Sequence, residues 1–200
     1  MTDTAALERC LASGGVAVFP ADTVYGLACD PLNARAVERL YGLKRRPLDK
    51  PSAVMFFGLT PALEALPELG ERTGAAIHRL LPGALTLLLP NPGRRFPLAC
   101  GEDAASLGIR VPRLEWAATL DRSALQSSAN LAGGPDPRRL EDVPESILAG
   151  VDLAIDGGEL PGTSSTVVDL RSYEEAGAWS VVRLGVVSED EVALTLGGAG

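Results

Sequence analysis

Eight short apolar runs alternate along the chain with stretches whose apolar residues recur at helical spacing, and this alternation is what most restricts the fold. The runs are Val16 to Phe19, Ala53 to Phe57, Ala84 to Leu89, Leu107 to Val111, Ala124 to Gln126, Val151 to Ile155, Thr166 to Leu170 and Trp179 to Leu184. Each reads as a strand. Between them, helices are expected at Thr4 to Ala12, from the cap Asn33 to Lys44, and at Pro61 to Leu66. Others follow at Glu71 to Leu81, Leu114 to Leu120, within Pro137 to Leu148, and at Ser188 to Leu196. Gly14-Gly15 and Pro82-Gly83 stop two of them. Asn91 to Asp103 reads as a loop and as the candidate cover of a site.

Helix and strand in alternation predict an α/β fold: a single domain over residues 1–196, built on one large twisted mixed sheet flanked by helices, with chemistry on the loops at strand ends. The Gly-rich residues 197–200 are expected to be a disordered tail. A chain of 200 residues can bury roughly 70% of its unfolded surface without disulfides or metals. With 46% hydrophobic but only 4% aromatic residues, its interior must be mostly Ala, Val, Leu and Ile.

Composition also excludes functions. Cys10, Cys29 and Cys100 are odd in number, far apart and without metal-ligand spacing, which fits buried small hydrophobes in a reduced, cytosolic protein. The start lacks a basic region followed by an apolar run, and no stretch is long and apolar enough for a membrane span. A net charge of −8 opposes nonspecific nucleic-acid binding. Phosphate-loop, dinucleotide, nucleophile-elbow and histidine-metal motifs are missing, and the lone histidine, His78, reads as a partly buried helix residue.

Positive charge is distributed unevenly by type. Of 18 Lys and Arg, two are Lys, leaving 16 Arg, and both lysines fall in KRRPLDK, Lys44 to Lys50. One reading makes these cations favourable partners of a helix C-terminus. The other makes them compact charges, with Arg46 and Lys50 held astride Pro47, gathered around one polyanion. In PADTVYGLACD, Asp22 and Thr23 either orient a small substrate at a strand end or cap a turn. Ser127, Ser128 and Asn130 in QSSANLAGG, and Gly162 to Ser165 in GTSSTVVD, suit either an anion-binding concavity or ordinary turns. Arg110 and Arg183 lie in apolar strand contexts and each needs an anionic partner, internal or bound.

Taken in order, PADTVYGLACD, LKRRP with the following Lys-Pro, LPGALTLLL, SLGIRVP, SSAN, STVVD and VVRLG resemble the YrdC/Sua5 family of threonylcarbamoyl-adenylate synthases, over nearly the whole chain. The resemblance implies the short, single-domain YrdC-like form with a concave basic groove. It implies a nucleotidyltransferase that makes threonylcarbamoyl-AMP and pyrophosphate from L-threonine, bicarbonate and ATP, for N6-threonylcarbamoyladenosine in tRNA. On that likeness Thr23, Arg110, Ser127 and Ser165 bind L-threonine, Arg110 gripping the carboxylate with two prongs. Lys44 and Arg46 are catalytic. Arg46, Lys50, Ser106, Ser128, the backbone at Ala129, Asn130 and Arg183 hold ATP and bicarbonate. Mg²⁺ is expected to be held by ATP phosphates and water, with no metal ligand on the protein. A downstream tRNA threonylcarbamoyl transferase is the implied partner.

Two departures from the family pattern stand out. Met55 replaces a frequent histidine and removes a side-chain hydrogen bond from the amino-acid pocket, and Ser127 replaces a frequent threonine. Rival readings are a module that binds double-stranded RNA or nucleotide in the same groove, with tRNA contact weak, and a paralogue of altered chemistry on the same fold.

Overall fold

The structure is a computed structural model and describes residues 3–197. Among these, nine strands form one mixed sheet. They are β1 (Ala17–Pro20), β2 (Tyr25–Cys29), β3 (Ala53–Met55), β4 (Leu85–Pro90), β5 (Ser106–Arg110), β6 (Ala124–Ser128), β7 (Leu153–Ala154), β8 (Thr166–Asp169) and β9 (Ser180–Arg183). Their order across the sheet is β7-β1-β2-β6-β3-β5-β4-β8-β9. The pairs β1/β7, β3/β5 and β4/β8 are parallel, and the rest antiparallel.

The helices are α1 (Asp3–Ala12), α2 (Ala34–Lys44), α3 (Leu59–Glu64), α4 (Glu71–Leu80), α5 (Glu145–Leu148), α6 (Tyr173–Ala176) and α7 (Glu189–Leu196). Strand alternation sends side chains to two faces. Val18, Leu27, Val54, Leu87, Ile109, Leu125 and Val168 join α2, α4, α5 and α7 in one large core. On the opposite face Ala17, Phe19, Ala28, Met55 and Ala124 meet Leu7 and Leu11 of α1 in a smaller core at one end. Each fully buried Leu or Phe in these layers contributes about 1.5–3 kcal/mol. Among the described residues α1 is the α-helix that contributes to this smaller core, and the groove described below lies further along the same face.

Five expectations need correction. PADTVYGLACD contains strand β2, whose pattern of unbroken burial carries no alternation to mark it. Leu114 to Leu120 shortens to a 3₁₀ turn, Glu115–Ala117, whereas the helix expected within Pro137 to Leu148 is present as the four-residue α5. The short helix α6 was not expected. His78 is exposed on α4 rather than partly buried. The fifth concerns Asn91 to Asp103, which is a wall and not a free cover. Buried Asn91 donates to the carbonyls of Arg95 and Ala104, both at 3.0 Å, and accepts from the Arg95 N–H at 2.9 Å. Phe96 packs edge-on against Phe56, and the Ser52 N–H donates to the Ala99 carbonyl at 2.9 Å. At Gly101, φ is 63° and a Cβ would stand 2.3 Å from the Asp49 carbonyl oxygen, so only glycine lets the two loops touch there. Gly197 caps α7, and the remainder of the expected tail lies outside the described residues.

Candidate active site

Helix α2 ends on the groove. The Asn33 side chain accepts from the Ala36 N–H at 3.2 Å to start it, and Arg45, in the left-handed region at φ 51°, ends it. The chain turns back so that the Arg46 N–H donates to the Tyr41 carbonyl at 3.0 Å. Lys44 is thereby left 2% exposed at the inner end of the helix, and Arg46 reaches the groove wall.

The Lys44 ammonium donates to the carbonyls of Ser128 and Asn130 and to Asn130 Oδ1, the last two at 2.8 and 3.0 Å. An ammonium has three donors, so all of them end on the Ser128–Asn130 turn. The Ser128 hydroxyl donates to Asn130 Oδ1 at 2.7 Å, and Asn130 Nδ2 donates to the Gly134 carbonyl at 2.5 Å. Burial, helped by the Arg46 charge and opposed by Asp136, brings the Lys44 pKa down to about 8.

At the other end of the groove, Arg110 is 3% exposed and its Nη2 donates to Asp22 Oδ1 and to Thr23 Oγ1, the latter at 2.7 Å. Asp22 also accepts from the Arg113 N–H at 3.3 Å. Arg110 Nε is buried without a partner. Both two-pronged faces of a guanidinium use Nη2, so the expected two-pronged grip on a carboxylate requires Asp22 or Thr23 to give way. Burial pulls the Arg110 pKa downward, Asp22 opposes that, and Arg183 adds to it. Beside them the Thr86 and Ser165 hydroxyls meet at 2.9 Å, and Arg183 Nη2 donates to the Ser165 carbonyl at 2.8 Å.

These groups enclose a cavity of about 680 Å³. Its lining unites Lys44, Arg46, Ser106 and Arg110 with Ser127, Ser128, Asn130, Ser165 and Arg183. Three expected residues are absent from it. Thr23 is fully buried and reaches the cavity only through Arg110. Lys50 is exposed outside the lining, its carbonyl accepting from the Tyr41 hydroxyl at 2.7 Å. Ala129 cannot offer its N–H, which donates to the Tyr25 carbonyl at 2.8 Å in continuation of the β2–β6 ladder, and its side chain is in the large core. Met55 also lies outside the lining, fully buried in the smaller core.

Sequence reasoning missed Asp22 as the partner of Arg110, and missed Thr86, Gln126, Asp136 and Arg171 on the wall. For Thr86 and Gln126 the signal was available: both are polar residues inside apolar strand runs. Among the described residues the lining carries the cations Lys44, Arg46, Arg110, Arg171 and Arg183 against Asp103 and Asp136, in a chain of net charge −8. Cys10 and Cys29 are buried and pushed up to about 11 and about 12, which leaves them as inert thiols. The described residues contain no cluster of three or more metal-ligating side chains and no helix long and apolar enough to cross a membrane.

The Sua5, YciO and YrdC family model, described as "Telomere recombination", matches residues 9–185. A threonylcarbamoyl-AMP synthase of Pyrococcus abyssi is 32% identical over 165 residues, covering 80% of this chain and 48% of that one. The chain thus spans about half the length of that relative. A threonylcarbamoyl-AMP synthase of Stenotrophomonas maltophilia is 34% identical over 156 residues, 74% of this chain and 82% of its own. The solved structure of P. abyssi Sua5 complexed with L-threonine superposes with a TM-score of 0.84 at 29% identity, over 96% of this chain and 57% of that one. With the family matched across nearly the whole chain and the fold shared, this protein belongs to the Sua5/YciO/YrdC family.

Proposed function

We propose that this protein forms threonylcarbamoyl-AMP and pyrophosphate from L-threonine, bicarbonate and ATP, in the cytoplasm, for modification of tRNA by a downstream transferase. The observation that carries the reading is one cavity with two unlike cationic ends. Lys44 and Arg46 flank the Ser128–Asn130 turn at one, and Arg110 stands beside Thr86 and Ser165 at the other. The first suits phosphate oxygens and the second an amino-acid carboxylate. The relatives' name and the threonine complex of P. abyssi Sua5 agree with that division.

In the proposed reaction the threonine amine adds to bicarbonate, water leaves, and a carbamate remains. A carbamate oxygen then attacks the α-phosphorus of ATP, and pyrophosphate departs with the electrons of the broken P–O bond. Arg110 fixes the amino acid by its carboxylate. Lys44 holds the phosphate-side turn in shape and adds its charge to that of Arg46 where negative charge gathers, so catalysis is positioning and electrostatic stabilisation. Mg²⁺ enters as the ATP complex, held by phosphate oxygens and water. Pyrophosphate release by purified protein given MgATP and bicarbonate should require L-threonine, fall with L-serine, and vanish in Lys44→Ala. Release indifferent to the amino acid would sink the reading.

A further inference from the structure

The cavity floor is made by residues of six neighbouring strands, β6, β3, β5, β4, β8 and β9, and the register orders them in rows. Ala124, Met55 and Arg110 stand side by side across β6, β3 and β5. Two residues further along β6, Gln126 stands beside Ala53, and two beyond that is Ser128. Successive rows are about 7 Å apart. Gln126 therefore occupies the middle row, between the Arg110 row and Ser128.

Gln126 is 6% exposed and lines the cavity, yet among the described residues its side chain makes no hydrogen bond. Of the neighbouring polar side chains, Arg110 is partnered through Nη2 by Asp22 and Thr23 while its Nε is free, and Thr86 is partnered by Ser165. The Gln126 amide is open to the cavity and carries one free acceptor and two free donors for a ligand there. The fold also leaves room for it. Gly26, on the adjacent strand β2, would place a Cβ 2.9 Å from Gln126 Nε2 and 3.0 Å from the Phe19 ring, so a side chain there would push the amide from its place.

We propose that Gln126 binds the carbamate group of the reacting amino acid, an inference that rests on the reaction proposed above. With the carboxylate at Arg110 and the phosphates near Ser128 and Lys44, the group between them is the amino nitrogen and the carbon added to it. A carbamate –NH–CO₂⁻ offers one donor and, on the same edge, one acceptor oxygen. A carboxamide offers the complement: Oε1 accepts from the carbamate N–H while Nε2 donates to its oxygen. The free amine offers no acceptor oxygen beside its N–H, whereas bicarbonate, whose O–H and carbonyl oxygen share one edge, offers the same pair, so the contact can form at bicarbonate and is kept in the carbamate. The ligand class is an N-carboxy amino acid, and Gln126 selects it by hydrogen bonding, with Gly26 supplying the space.

The test is steady-state pyrophosphate release by the full chain, with bicarbonate, threonine and ATP varied in turn, for wild type, Gln126→Leu and Gln126→Asn. Loss of one or two such bonds predicts kcat/KM for bicarbonate and for threonine lower by about ten- to a hundredfold in both variants. ATP affinity, read by direct titration, and the melting temperature should stay near wild type. Asn keeps the amide but withdraws it by one methylene, so its loss separates reach from polarity and covers the case in which Leu fails to fold. Unchanged bicarbonate and threonine dependence in a folded variant overturns the assignment, as does an equal loss in ATP affinity, which marks a general disturbance of the floor. A wild-type protein without threonine-dependent release overturns the reaction itself, a different result from an active wild type with indifferent variants.

Discussion

Lys44 and Arg110 are both almost wholly buried cations on one cavity, but their surroundings are opposite in kind. Lys44 is held by neutral acceptors, two backbone carbonyls and an amide oxygen. Arg110 is held by a carboxylate and a hydroxyl. A cation among neutral dipoles keeps its full charge in the cavity but is easily discharged, and Lys44 accordingly falls to about 8. A guanidinium against a carboxylate stays charged while much of its field is cancelled locally, so it serves geometry more than net attraction. One end of the site is thus electrostatic and sensitive to pH, and the other is geometric and insensitive to it.

The largest effect is expected from breaking the buried pair. Asp22→Ala leaves Arg110 charged and 3% exposed with only the Thr23 hydroxyl as partner, and should cost about 3–5 kcal/mol of stability in chemical denaturation. Adding Arg110→Met to that variant removes the stranded charge and should recover most of the loss. A double variant no more stable than Asp22→Ala would mean that the pair does not act as a unit. Stability recovered without activity is the expected combined result, since the Arg110 end would then lack its carboxylate partner.

Next in size is Lys44→Met, which keeps the stem and removes the charge. The carbonyls of Ser128 and Asn130 lose a donor, at a cost of about 1–3 kcal/mol, and pyrophosphate release should be lost. Its pH dependence carries a sign. The folded pKa of about 8 lies below the 10.5 of the free side chain, so between these values the unfolded chain binds the extra proton. Stability from this group therefore rises as pH goes from about 8 towards 10.5. Activity should move the other way, falling as pH passes about 8 and the ammonium is lost. The buried thiols Cys10 and Cys29, raised by burial, oppose the stability trend, because the unfolded chain releases their protons first. Subtracting the Lys44→Met profile from that of wild type cancels the thiols and isolates Lys44. Parallel curves for the two proteins between pH 7 and about 10 would break the contrast drawn between the two cations.

How legible this was in the sequence depended on whether the information was local. Helix α2 was readable because cap, stripe and stop lie within a dozen residues, and the strands at Val16, Leu107 and Thr166 because apolar runs end at Gly or polar breaks. Strand β2 was not, since a strand buried on both faces lacks the two-residue alternation and its DTV lead-in reads as a turn. The need of Arg110 for an anion was visible from its apolar context, but Asp22, 88 residues away, is brought to it only by sheet order. Lys44 was singled out by lysine usage, whereas its engagement with the Ser128–Asn130 turn depends on where two distant segments meet. Gln126 is the instructive omission: a polar residue inside ALQSS was readable as an exception within a strand, but its face was not fixed until register placed it beside Ala53.

The smallest effect sharpens the comparison from outside the cavity. Glu159 pairs with Arg138 at 2.8 Å and with Arg139 at 2.7 Å, as close as many contacts in the site, yet its side chain is 47% exposed and those of the arginines 55% and 52%. Distance alone would rank this pair of ion pairs with the contacts of Lys44. Solvent screening ranks it far lower, because water already satisfies each charge before the pair forms. Glu159→Gln should leave the denaturation midpoint unchanged within error at moderate ionic strength, with any residual difference vanishing as salt is added. A loss approaching that of Asp22→Ala would show that burial is not what separates the strong pair from the weak ones, and the division of the cavity into a geometric and an electrostatic end would lose its physical basis.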